Sequence, residues 1–278
     1  MLQAFSLMVV LTVILLAVGW FFGNILGMGI AFAIALLINF GTYWYSDKIV
    51  LRMYKAKPYE NKDIEKMIDA LVQEAKLPAK PKLYIMETQV PNAFATGKDA
   101  SHAVIAVTRG LLDLNKAELK GVLAHEISHI KNKDMLIGTI AAAIAGAISF
   151  IAQIGYYSVF FSNDRDGQGN VLGLILIVIF APIAALLVRM AISRNREYKA
   201  DFTGALLTKE PEALASGLRK IADIAKANPM QGSAATSHLW VVNPLHKDWF
   251  VDMFSTHPAV EKRIKKLEEL AGEIRYTE

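Results

Sequence analysis

A chain of 278 residues that is 54% hydrophobic, with a mean hydropathy of +0.33, is too apolar for an ordinary soluble domain. At 20% charged residues it is also too polar to consist of membrane spans alone, so a mixed membrane and water-exposed protein is expected. The lack of cysteine excludes disulfides and thiolate ligands, and a net charge of +4 with no basic–aromatic motif argues against nucleic-acid binding.

The chain opens with an uncharged apolar run from about Ala4 to Phe22, a Gly23–Asn24 break, and a second run from about Ile25 to Tyr45. Each has roughly the 20 residues a helix needs to cross the hydrocarbon layer. No lysine or arginine precedes Lys48, unlike the basic start of a cleaved signal peptide. Gly27, Ala31 and Ala35 recur every fourth residue, a stripe that lets helix backbones approach closely. Tyr43, Trp44 and Tyr45 stand where an interfacial aromatic belt would lie, followed by Lys48, Arg52, Lys55 and Lys57. A helical hairpin over residues 1–46 is expected, with both ends facing the cytosol.

Beyond it, Ile64, Met67, Ile68, Leu71 and Val72 give the segment Glu60 to Leu77 a helical period. Lys82 to Met86 and Ala103 to Thr108 read as short strands. Between them lies Pro91-Asn92-Ala93-Phe94-Ala95-Thr96-Gly97, which on its own reads as an edge strand and turn.

The next helix carries His125-Glu126-Ile127-Ser128-His129. Asn115 as N-cap with Glu118 three residues on makes a capping box, and Leu119, Val122, Leu123 and Ile127 form an apolar side. Histidines four apart share one helix face, so both rings can reach a single cation, and Glu126 can serve as a general base without ligating it. Two surface histidines on an amphipathic helix would give the same five-residue match. A third ligand decides between these readings.

Two further apolar runs follow, about Met135 to Phe161 and about Val171 to Ile192, with a polar link from Ser162 to Asn170. Basic residues flank both outer ends, so this second hairpin (135–192) should also open to the cytosol. Immediately after it, Glu197 and Asp201 stand four apart on one helix face. One carboxylate can complete a metal sphere while the other accepts the N–H of a ligating imidazole. Salt bridges among Arg196, Glu197, Lys199 and Asp201 are the plainer alternative. Beside the histidine pair the ligand reading is favoured, because catalytic zinc takes three protein ligands and leaves a place for water.

In order and spacing, these features resemble the HtpX-type membrane zinc metalloproteases, relatives of the endopeptidases that process prenylated CAAX proteins. The likeness runs through the paired spans, Asn92-Ala93-Phe94-Ala95, His125-Glu126-x-x-His129, Arg196-Glu197-x-x-Ala200-Asp201 and Thr256-His257-Pro258. It implies a mainly α (α+β) fold, with four transmembrane helices in two hairpins and a cytosolic gluzincin-type domain with a small sheet. That domain would be discontinuous, 47–134 and 193–278. The resemblance puts His125, His129 and Glu197 on one Zn2+ per chain and makes Glu126 the general base. Asp201 would orient a ligand, Asn92 to Ala95 would pair with the substrate backbone, and His257 would help stabilise the transition state. His257 before Pro258 can also be read as a simple turn residue, and no role is implied for Arg263.

The implied partners are misfolded membrane proteins and unfolded polypeptides, together with the lipid bilayer of a bacterial cytoplasmic membrane. No P-loop or dinucleotide fingerprint appears, so no nucleotide is expected. A transporter is disfavoured because no span carries an acidic residue or histidine at its middle. A scaffold with a structural zinc site is more commonly closed by four ligands, often cysteines, and has little need of Glu126 beside its histidine.

Overall fold

The computed structural model describes residues 2–140, 194–228, 239–242 and 258–277. Most of the expected second hairpin, His257 and most of the 228–247 loop lie outside those residues; of that hairpin only 135–140 is described, and it is helical.

The N-terminal helix α1 (Leu2–Met53) reverses direction at Gly23 and Asn24, whose backbone angles are non-helical. Its two halves then run antiparallel. The Asn39 side-chain amide donates to Thr12 Oγ1 at 2.9 Å, and Gly19 meets Gly27 so closely that a methyl group on either would strike the other's carbonyl. Ala35 is fully buried, as the small-residue stripe predicts. The outward side chains remain apolar, with Leu26, Leu37, Ile25, Phe5 and Phe40 all exposed. Gly23–Tyr45 is long and apolar enough to cross a membrane, whereas the first half is apolar over the shorter stretch Met8–Ala17.

Beyond α1 come β1 (Lys57–Pro58), α2 (Lys62–Ala75), β2 (Lys82–Met86), β3 (Ala93–Thr96), β4 (Val104–Thr108), α3 (Lys116–Lys131), α4 (Arg194–Thr208), α5 (Pro211–Ala227) and α6 (Val260–Thr277). Asn61 caps α2 by accepting from the amides of Asp63 and Ile64, both at 3.1 Å. The capping box of α3 forms as expected. Asn115 Oδ1 accepts from the Glu118 amide at 2.9 Å, and Glu118 Oε2 accepts from the Asn115 amide at 3.2 Å.

The strands form one mixed sheet in the order β1-β2-β4-β3. β2 and β4 run parallel, while β3 is antiparallel to β4 and forms one edge. Both faces of β4 are covered. Ile105 and Val107 join the core built by α2 and α3, whereas Val104 and Ala106 pack with Val50, Leu51, Phe94 and Trp240. The last turns of α1 are thereby docked onto the sheet, which ties the apolar hairpin to the globular part. Helix α3 lies at the centre, packed by α2, α4, α5 and β3, and is buried along most of its length.

Candidate active site

The site forms where α4 crosses α3. On α4, Glu197, Asp201 and Gly204 lie on one face, and a methyl group at Gly204 would stand 3.0 Å from the backbone nitrogen of His125. Only a residue without a side chain lets the two helices come this near, and the contact brings both α4 carboxylates up to the histidines.

His125 Nε2 and His129 Nε2 face each other at 3.2 Å. Glu197 closes the triangle, with Oε2 3.7 Å from His125 Nε2 and Oε1 3.6 Å from His129 Nε2. Two ligands at about 2 Å from one tetrahedral cation stand about 3.3 Å apart, so the imidazole spacing fits a shared metal ion. The chemistry fits as well: the Glu197 carboxylate is buried beside both imidazoles, and the one nearby guanidinium, that of Arg263, is engaged chiefly by Asp201. Among the described residues these three ligands are the cluster positioned to hold a metal.

The remaining nitrogens of the imidazoles are held from behind. Asp201 Oδ1 lies 2.9 Å from His125 Nδ1, which fixes the proton there and leaves Nε2 as a lone-pair donor. Burial, with the charge of Arg263, keeps His125 below its ordinary pKa and therefore neutral. His129 Nδ1 stands 3.6 Å from Asp134 Oδ2, an ionic contact rather than a hydrogen bond. Burial acts to lower the His129 pKa, but the charges of Asp134, Glu197 and Glu126 outweigh it and raise it to about 9.

Arg263 extends the arrangement. Its Nε and Nη2 each donate to Asp201 at 2.7 Å, and Nη1 donates to the Val241 carbonyl at 2.6 Å. Nη1 also lies 3.6 Å from Glu197 Oε2. The Asp201 carboxyl, which burial alone would raise, is held below the usual carboxylate range chiefly by Arg263.

Glu126 is buried on α3 between the histidines, and burial pushes its carboxyl up to about 7 even though His129 and a hydrogen bond from the Ala95 backbone act to lower it. The bond places β3 beside the carboxylate. Along β3, Asn92, Phe94 and Thr96 turn their backbone groups to β4, which leaves those of Ala93 and Ala95 facing outward. The outward Ala93 carbonyl accepts the Val241 amide at 3.2 Å, and the Asn92 side chain grips Val242, donating to its carbonyl at 2.7 Å. Phe94 is packed edge-on against Trp240. At its Asn92 end the strand edge is thus covered by Leu239–Val242, while Ala95 sits at the Glu126 end.

Residues 58–271 match the model of peptidase family M48. This chain belongs to that family. Its M48 sequence is 50% identical over 276 residues to the Protease HtpX homolog of Pyrococcus furiosus, covering 96% of this chain and 95% of the relative. It is 45% identical over 269 residues to the Protease HtpX homolog of Desulforapulum autotrophicum, covering 94% and 87%. The crystal structure of S. mikatae Ste24p gives a TM-score of 0.45 at 19% identity, over 90% of this chain and 66% of that one. The M48 chain is therefore a metalloprotease of the HtpX type, with His125, His129 and Glu197 set for its metal.

Two contributors escape a reading of the sequence. Arg263 is the one charged residue on the apolar stripe of α6, beside Val260, Ile264 and Leu267, and that position was the available signal. Asp134 looks like ordinary charge after a helix, and only the chain reversal at Asn132 and Lys133 turns it back towards His129.

Proposed function

We infer that this protein is a zinc-dependent endopeptidase of a cytoplasmic membrane that hydrolyses peptide bonds in misfolded or damaged membrane proteins on the cytosolic side. The observation that carries the reading is the convergence of two Nε2 atoms and the Glu197 carboxylate on one point, with Glu126 alongside and a strand edge next to it. A donor set of two imidazoles and one carboxylate, with no cysteine in the chain, suits Zn2+ in an open catalytic site.

A divalent cation held by these residues supplies Lewis acidity, lowering the pKa of water and polarising a peptide carbonyl. Glu126, with a carboxyl poised near neutrality, takes the proton of the attacking water and hands it to the leaving amine. Asp201 keeps His125 in the tautomer that offers Nε2, and Arg263 keeps Asp201 ionised and in place. The β3 edge at Ala95, whose N–H meets Glu126, offers its carbonyl to an extended substrate backbone and lays it alongside Glu126. His257 joins this reading as a group that helps stabilise the transition state, on the strength of the Thr256-His257-Pro258 motif alone.

The membrane placement rests on the exposed apolar surface of α1, the span Gly23–Tyr45 and the lysines and arginine that follow it. In this reading residues 135–192 form a second hairpin, and the discontinuous domain 47–134 and 193–278 lies at the cytosolic surface. Cuts mapped on a polytopic protein co-reconstituted with the enzyme test this. Sites in cytosolic loops close to a span are expected, and cuts in mid-span residues would overturn it.

A further inference from the structure

Away from the metal site, a cavity of about 670 Å³ opens where the end of the α1 span meets the sheet. One face of α1 runs into it, through Phe40, Trp44, Lys48 and Leu51. This face changes character along its length. Phe40 is 64% exposed within the apolar span, Trp44 lies at its end, and Lys48 comes one turn later. From the other side the globular part contributes Lys82, at the start of β2, and Lys98, just after β3.

The charges here are unbalanced. Lys98 Nζ sits 4.9 Å from the centre of the Trp44 ring and Lys48 Nζ 5.3 Å from that of Tyr45. Neither these lysines nor Lys82 forms an ion pair among the described residues, and Asp47 is the single carboxylate in the wall. A fourth lysine in the wall, Lys80, is already engaged by Asp69 at 2.9 Å and Glu65 at 3.5 Å. Three lysines without an ion pair among the described residues thus share a cavity whose outer wall is an aromatic and apolar helix face, continuous with a segment long and apolar enough to cross a membrane.

We propose that this cavity binds the phosphate headgroup of an anionic membrane lipid, with Lys48, Lys82 and Lys98 around the phosphate and the acyl chain along Phe40 and Trp44. The two halves of the site fit the two halves of such a ligand, and a free phosphate would use only one of them. Anionic headgroups attract lysines at the membrane surface, and tryptophan favours the same level. Because the lysines come from α1, β2 and the loop after β3, a bound lipid clamps the hairpin to the sheet that carries the substrate edge. The proposal shares with the functional reading the membrane placement of α1 and is independent of the peptidase chemistry.

Native mass spectrometry of the full-length, metal-loaded protein in a nonionic detergent, titrated with phosphatidylglycerol or phosphatidylcholine, tests it. Saturable retention of one phosphatidylglycerol is expected, with markedly weaker retention of phosphatidylcholine. Replacing Lys48, Lys82 and Lys98 together by glutamine should bring the retention of phosphatidylglycerol down to that of phosphatidylcholine. A control of equal charge loss, Lys66→Gln, Lys116→Gln and Lys262→Gln, should leave it unchanged, and metal content reports that all variants are folded. Equal retention of both lipids, an unaffected cavity variant, or an equal loss in the control would overturn the proposal. So would displacement of the lipid by inorganic phosphate at matched concentration, which would mean a soluble-anion site. These outcomes are read without proteolysis, so a failed lipid site and a failed peptidase assignment are told apart.

Discussion

Arg263 grips Asp201 through two 2.7 Å hydrogen bonds, and the same Asp201 oxygen that takes one of them lies 2.9 Å from His125 Nδ1. A residue on the last helix thereby sets the tautomer of a metal ligand on the central one. Such partners typically govern metal affinity by about 10–100-fold. Arg263→Lys cannot reproduce the two-point grip, so metal affinity should fall by about that factor, with cleavage falling in step and recovering at high metal concentration. Metal titration beside circular dichroism checks it. A variant that folds and binds metal as tightly as the parent would assign Arg263 to packing alone.

Gly204 sets the distance between the ligand-bearing helices. Gly204→Ala places a methyl group against the His125 backbone, so α3 and α4 must separate by a few tenths of an ångström. Overpacking of this kind costs about 1–3 kcal/mol. Lower thermal stability together with weaker metal binding is expected, whereas Gly272→Ala, inside α6 with nothing near its added methyl, should leave metal binding unchanged and raise stability slightly through helix propensity.

The metal and a proton compete for His129. In the metal-free protein His129 has a pKa raised to about 9, so its proton stabilises the fold fully below its ordinary value near 6.5, and that contribution is lost as pH rises through about 9. A metal ligand must be neutral, so loading at pH 7 should release about one proton from His129, and the apparent affinity should climb as pH rises towards 9. Calorimetry in buffers of different ionisation enthalpy counts that proton. A pH-independent affinity between 6 and 9 would contradict the assignment of His129.

Much of this site could be read before any coordinates. The capping box of α3, the facing histidines and the α4 carboxylates are local features of period and spacing, and each appears as expected. The partition between Glu197 and Asp201 follows from geometry: Asp201 meets Nδ1 of His125 while Glu197 meets both Nε2 atoms. Arg263 and Leu239–Val242 escaped because their partners are distant in sequence: Arg263 binds a residue 62 positions away and Val242 one 150 positions away. An apolar tetrad, Leu-Trp-Val-Val, in a polar stretch was the trace the second one left.

The covered end of the β3 edge gives a further outcome. Asn92→Ala leaves the buried Val242 carbonyl without its donor, a loss of about 1–3 kcal/mol, and should expose the Val241 and Val242 amides to faster hydrogen exchange. Ala95→Pro acts differently, since it removes the backbone donor beside Glu126. Peptide cleavage should drop in Ala95→Pro at unchanged metal content. Unaltered cleavage there would reduce the segment to a structural edge.

The most direct test pairs metal analysis with peptide cleavage in the parent, Glu126→Gln and Glu197→Ala. Glu126→Gln should keep its zinc and lose roughly 10²–10⁴-fold in turnover, because the base is gone while the ligands remain. Glu197→Ala should lose zinc and activity together. A Glu126→Gln protein that cleaves at the parental rate, or a Glu197→Ala protein that holds full zinc, would contradict the assignment of this site.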